Sequence, residues 1–312
     1  MSNAGSVVVT GAGGYLGGRV VTHLAAAGGR GVRAMSRRPA PWLSVPVDVL
    51  DLAADRVVLT ELVTGADAVV HLAGANEVMA AHDPDRALAD TLAAARHVAE
   101  ACADAGVGRL VYISTVHVYG RALAPGATVT EDELPAPLST YAIARLAAEH
   151  IVTAALADAV VLRLTNGVGR PAAPEVERWS LVANDLCRQA TTTRALRLRT
   201  DGMQWRDFVA LDDVCRVVAA ASDPFAVPAG AYNLGSGTPL TVRDLAELVQ
   251  RAVESATGTR PPLSSPAPTG APGPPYVVAT DRLAALGLRA EVPIEDAIDE
   301  TVRFCLYEGL AA

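Results

Sequence analysis

Two rhythms of apolar residues alternate along the chain. Residues 6–10, SVVVT, form a short β-branched run of the kind that fills a strand buried on both faces. GAGGYLGGRVVTHLAAAGG follows, with Leu16, Val20, Val21 and Leu24 at helical spacing and a Gly28-Gly29 stop. GVRAMSR (31–37), ADAVVHLAG (66–74), RLVYISTV (109–116) and AVVLRLTN (159–166) read as further strands, and an alanine-rich helix runs from about Pro84 to Ala105. Strands alternating with helices predict an α/β fold, a doubly wound parallel sheet of Rossmann type.

Beyond Asn166 the rhythm breaks. Pro171, Pro174, a helix through SLVANDLCRQA and short strands around LRLRTDG predict a smaller, irregular lobe. QWRDFVALDDVCRVVAAA and AYNLGSG read as returns to the main sheet. The resulting division is a nucleotide-binding domain over 1–165 with returns near 204–237, and a substrate lobe over 166–203 and 238–312. Within that lobe, RPPLSSPAPTGAPGPP (260–275) reads as an exposed, mobile loop.

Composition narrows the function classes. Apolar residues make up 51% of the 312 and charged residues 19%, so a large core can form. Much of the apolar fraction is alanine, and no stretch is long and apolar enough for a membrane span. A net charge of −8 argues against a nucleic-acid surface. Cys102, Cys187, Cys215 and Cys305 are scattered, without metal-ligand spacing, which fits buried thiols in a cytoplasmic protein. No metal site is expected. All 26 basic residues are arginine.

Gly11, Gly14 and Gly17 form G-x-x-G-x-x-G between a strand and a helix, the context of a dinucleotide site. Glycine lets the backbone approach a pyrophosphate, and the helix N-terminus at Tyr15 and Leu16 favours its charge. The second strand ends in Ser36, Arg37 and Arg38, where a site for NAD usually offers a carboxylate. An arginine pair there suits a 2′-phosphate, so NADP(H) is expected, with NAD as the alternative if both arginines are solvated loop charges. Asp48, followed by Val49, is the candidate partner of the adenine amine, and Leu72, Ala73 and Gly74 complete the expected cofactor wall.

GAGGYLG, HLAG (71–74), YISTVHVYG (112–120), STYAIAR, LTNGVGRP (164–171), QWRDFVALDD (204–213) and YNLGSG (232–237) occur in an order that resembles the extended short-chain dehydrogenase/reductase family. That family comprises NAD(P)-dependent nucleotide-sugar epimerases, dehydratases and ketoreductases, and the likeness covers nearly the whole chain. It implies a catalytic hydroxyl residue four before the tyrosine of VYG, which is Thr115, with Ser114 as the neighbouring alternative. It implies Tyr141 as the residue exchanging a proton with the substrate oxygen. Where the family carries lysine, this chain has Arg145, one helical turn from Tyr141 on the same face. A free phenol has a pKa of about 10, so a nearby cation is needed for proton transfer near neutrality. Arg145 has the charge to serve; the alternative is that it turns outward and the protein is a weak relative.

The resemblance further implies a nucleotide-diphosphate sugar as substrate, contacted by Asn166 and Arg206 as well as by Thr115 and His117. An ion pair of Arg206 with Asp207 or Asp212 is the alternative use of that arginine. Dehydrating relatives carry an Asp-Glu pair after the catalytic hydroxyl; here the pair is Val116-His117, which argues against a 4,6-dehydratase. Three readings remain: an NADPH-dependent 4-ketoreductase, an NAD-dependent 4-epimerase, and an NADP-binding sensor or scaffold. A homodimer is expected from the resemblance.

Overall fold

The valine run at residues 7–9 becomes an interior strand of a sheet because each of its side chains finds apolar neighbours on the face it serves. The computed structural model describes residues 5–267, 270 and 273–308. In chain order its elements begin with β1 (Ser6–Thr10), α1 (Tyr15–Ala27), β2 (Gly31–Ser36), β3 (Val47–Val49), α2 (Arg56–Val63) and β4 (Ala68–His71). They continue with α3 (Glu77–His82), α4 (Pro84–Asp104), β5 (Arg109–Thr115), a 3-10 segment (Val116–Ala122), β6 (Thr128–Val129), α5 (Thr140–Ala155) and β7 (Ala159–Leu164). Next come β8 (Asn166–Val168), α6 (Val182–Thr192), β9 (Leu196–Arg197), β10 (Trp205–Ala210), α7 (Leu211–Ala221) and β11 (Gly230–Leu234). The last are β12 (Pro239–Thr241), α8 (Val242–Thr257), β13 (Leu263–Ser264), β14 (Val277–Val278), α9 (Asp281–Ala285) and α10 (Ile294–Tyr307).

Seven strands make one sheet in the order β11-β7-β5-β4-β1-β2-β3, with every neighbouring pair parallel. Alternate residues serve opposite faces. Val7, Val9, Val111 and Leu162 pack against Val20 and Val21 of α1 and Val214 and Val218 of α7. Val8, Val69, Leu110 and Val161 pack against Val98 of α4 and Ala148 and Val152 of α5. Both faces are therefore covered, and each buried valine or leucine contributes about 1.5–3 kcal/mol.

A second core, built from Leu186 of α6, Leu245 and Val249 of α8, Ile298 of α10 and Phe208 of β10, carries the smaller lobe. Here one expectation is corrected. β10 does not return to the main sheet; it pairs with β8 and β12 in a three-stranded sheet. The edge beside β7 is already taken by β11, in the register Tyr232↔Leu162, so only the following helix α7 packs back. Of the proline-rich stretch, residues 268, 269, 271 and 272 lie outside the described residues. The rest is mostly exposed but tethered: β13 pairs with β9, and the Trp205 indole donates to the Gly273 carbonyl at 2.7 Å. No helix among the described residues is long and apolar enough to cross a membrane.

Candidate active site

Expected site residues meet at the carboxyl edge of the sheet, where β1 and β4 lie side by side and their connections diverge. Gly11 has φ +71°, and a Cβ there would stand 2.7 Å from the Ala73 nitrogen. At Gly17 a Cβ would collide with the Gly11 carbonyl, so α1 approaches this turn only because the position is glycine. Gly14 caps α1 without a side chain, leaving the first-turn N–H groups of Tyr15, Leu16 and Gly17 without intrahelical acceptors. These donors and the helix dipole make an anion cradle.

Beside the turn lies a cavity of about 330 Å³. Gly11, Gly14, Ser36, Arg37, Arg38, Leu72, Ala73 and Gly74 of the expected set line it. Tyr15, Leu16, Gly17, Tyr141 and Arg145 do not. The Tyr15 phenol donates to the Gly169 carbonyl and to Asn184 Oδ1 at 3.2 Å, and Leu16 packs into the sheet core, so only their backbone can serve a ligand.

Asp48 and Val49 stand apart from this cavity. The Asp48 carboxylate is held by Arg33 at 3.0 Å, and Val49 is 57% exposed; neither lines the cavity. Leu50, Asp51, Leu52 and Ala53 stand there instead, because β3 ends at Val49 and the chain turns inward just after it. Asp51, the second aspartate of VDVLD, was the available signal. Gly13, Met35, Ala75, Met79, Asp90 and Ala94 also line the cavity and were not singled out from the sequence. Asp90 is 4.0 Å from Arg37, whose side chain is 53% exposed.

Ser139 caps α5 by accepting from the Ala142 N–H at 3.3 Å, which sets Tyr141 in the first turn and Arg145 in the next. Arg145 points inward and is buried, contrary to the outward alternative. Its Nη1 donates to Tyr112 Oη at 3.4 Å and to the Ile113 carbonyl at 3.3 Å, and its Nη2 donates to the Ala75 carbonyl at 3.3 Å. Its Cζ lies 5.5 Å from the centre of the Tyr141 ring. Burial alone would lower the guanidinium pKa; Tyr112 and Tyr141 outweigh it, and the net direction is upward, so the charge is permanent. The buried Nε has no partner among the described residues.

The two hydroxyls at the end of β5 have different fates. Ser114 donates to the buried Glu149 carboxylate, which Arg163 also holds at 2.8 Å. Thr115 caps the 3-10 segment by accepting from the His117 N–H at 3.2 Å, and its own O–H proton has no acceptor among the described residues. His71 lies beneath, its Nδ1 2.7 Å from Thr10 Oγ1 and its ring stacked on Tyr112 at 5.5 Å. Burial, and then the charge of Arg145, push its pKa down to about 3.

On the substrate side, Asn166 spends one amide hydrogen on the Asp207 carbonyl at 2.8 Å, tying β8 to β10. Arg206 donates to the Trp205 carbonyl at 2.7 Å, and no carboxylate among the described residues pairs with it. The two acids considered as its partners are engaged elsewhere. Asp207 accepts from Thr165, Ser236 and the Gly237 N–H, and Asp212 pairs with Arg19. His117 is exposed but crowded; burial and Arg206 lower its pKa, while Glu77 opposes them.

A polar chain that the sequence did not reveal spans the two lobes. Tyr15 bonds Asn184, Asn184 Nδ2 donates to the Arg178 carbonyl at 3.1 Å, and Arg178 Nη2 pairs with Glu77 at 2.6 Å.

Residues 7–235 match the model of the NAD dependent epimerase/dehydratase family. The chain belongs to this family. Among curated members it is 33% identical to dTDP-6-deoxy-L-talose 4-dehydrogenase (NAD(P)(+)) of Kitasatospora kifunensis, over 78% of this chain and 77% of that protein. It is 29% identical to UDP-glucose 4-epimerase of Azospirillum brasilense, over 96% and 90% of the two chains. The solved UDP-glucose 4-epimerase of Thermus thermophilus in complex with NAD superposes with a TM-score of 0.78 at 26% identity, covering 96% of this chain and 98% of that one.

Proposed function

We propose that the protein is an NADP(H)-dependent 4-ketoreductase of a nucleotide-diphosphate keto-deoxysugar. The observation that carries this reading is the cavity wall at the end of β2, where Ser36, Arg37 and Arg38 stand together beside the glycine turn. Arginine forks pair with phosphate oxygens, which favours a cofactor bearing a 2′-phosphate. The residues present fit such a cofactor: a Cβ at Gly11 or Gly17 would fill the cradle, and the buried Arg145 Nε is a donor in want of an acceptor. Gly11, Gly14, Gly17 and the first-turn N–H groups of α1 would hold the pyrophosphate, with Arg37 and Arg38 on the 2′-phosphate.

When bound, the nicotinamide supplies hydride exchange with the sugar carbon. Tyr141 moves a proton between its phenolic oxygen and the sugar oxygen on that carbon. Thr115 donates its free O–H to the same oxygen. Arg145 keeps a fixed positive charge beside the phenol ring. Asn166 and Arg206 hold the substrate diphosphate, and His117 borders the sugar. Valine at position 116 carries no proton, which is why the dehydratase reading is set aside.

An NAD-dependent 4-epimerase is the second reading; it is favoured by the near-complete overlap with UDP-glucose 4-epimerases, one of them solved with NAD. A homodimer in the cytoplasm accompanies either reading as an expectation. The test is incubation with a panel of nucleotide sugars and their 4-keto forms. Net consumption of NADPH supports reduction; exchange of isomers without consumption supports epimerisation. Tight NADPH binding with neither outcome would leave the sensor reading.

A further inference from the structure

We propose that Gly74 is the positioning residue for the cation at 145, and that the two residues form a matched pair. The inference rests on the reading of this edge as an oxidoreductase centre. A Cβ built on Gly74 would lie 3.2 Å from Cζ, 3.2 Å from Nη1 and 3.2 Å from Nη2 of Arg145. Equal distances to three atoms of one plane mean that the guanidinium lies face-on across the open side of the glycine. Its edges are fixed by the Ala75 and Ile113 carbonyls and by Tyr112 Oη, so it cannot slide away from that face.

Gly74 also borders the cofactor cavity. The wall between the cavity and the buried charge is therefore bare backbone at this point. Lack of a side chain serves two ends. It makes room for a head group that is planar and broader than an ammonium, and it keeps an apolar methyl from coming between that charge and a bound ribose. Gly74 has φ +149°, so alanine there also meets backbone strain that no change at 145 relieves. The space-making part of its role is separable from that strain by a second substitution. Lysine at 145 would end in a compact head and leave the glycine face open.

The experiment compares four full-length proteins: the parent, Gly74→Ala, Arg145→Lys and the double variant. For each, NADPH binding is followed by fluorescence, turnover by its pH profile, and melting temperature by thermal unfolding. Gly74→Ala is expected to weaken NADPH binding about tenfold or more and to move the basic limb of the pH profile by about one pH unit. Arg145→Lys alone is expected to lose activity severalfold, because carbonyls built for a fork go unmet. The double variant should recover at least half of the alanine loss and bring the pH profile back. Losses that simply multiply, or a double variant no better than Gly74→Ala, overturn the pairing. If the parent itself binds neither NADPH nor NADH, the proposed function fails, and the melting temperatures alone decide the pair. A double variant more stable than the two single losses predict sustains it, and strict additivity sinks it.

Discussion

Arg145 lies against Tyr141, its guanidinium carbon 5.5 Å from the ring centre, and both leave α5 on the same face. A phenol asked to give and take a proton has its fixed cation one turn away, on a guanidinium that is itself buried. Tyr141→Phe keeps the ring and its packing but deletes the proton. Turnover is expected to fall by about a hundredfold or more while NADPH binding persists. Arg145→Ala should lose most activity, and Arg145→Lys should retain more than alanine does. An active Tyr141→Phe protein would remove the proton-transfer assignment.

Arg37 and Arg38 are expected to decide between the two dinucleotides. Titration should show NADPH binding more tightly than NADH in the parent. Arg37→Asp should reverse the order by weakening NADPH about tenfold or more with little change for NADH. A parent that prefers NADH sinks the 2′-phosphate argument and shifts the balance to the epimerase.

His71 makes stability fall with acid. Its folded-state pKa of about 3 lies below the 6.5 of a free imidazole, because it is buried next to Arg145. The unfolded chain therefore binds a proton between those values that the folded chain refuses, and the stabilising contribution is complete above pH 6.5 and lost as the pH drops toward 3. Urea midpoints measured from about pH 7 to about pH 4 should decline with a contribution of about one proton from this site. In His71→Gln that contribution should disappear, and an unchanged slope would contradict it.

Glu149 joins Ser114 of β5 to Arg163 of β7 in a buried ion pair at 2.8 Å. Glu149→Gln leaves the Arg163 charge without its counter-ion, a change that costs about 3–5 kcal/mol in comparable buried pairs. Denaturant unfolding should show a loss of that order. The Ser114 hydroxyl would also be released beside Thr115, so activity is expected to fall along with stability.

The fold was legible because its central strands are apolar runs and its helices carry a clear stripe; local pattern and burial agree. The glycine turn was legible for the same reason, since only glycine suits its backbone. β10 was misplaced because strand composition states that a segment pairs but not with which edge, and that edge was filled by β11 from later in the chain. Asp51, three residues beyond Asp48, lines the cavity instead, and nothing local in the sequence tells where β3 ends. Glu77 and Arg178 are 101 positions apart. No spacing rule reaches across such a distance, so their ion pair became visible only with the fold.

That ion pair completes a tie running from the first residue of α1 through Asn184 to the segment after Gly74. A ligand that settles on the α1 terminus thus bears on the same assembly as one held by the smaller lobe. By thermodynamic reciprocity, whatever factor the dinucleotide exerts on sugar affinity, the sugar must return to the dinucleotide. Cutting the tie with Arg178→Ala should loosen this mutual dependence while leaving each binding pocket intact, a difference that paired titrations with one and both ligands would read directly.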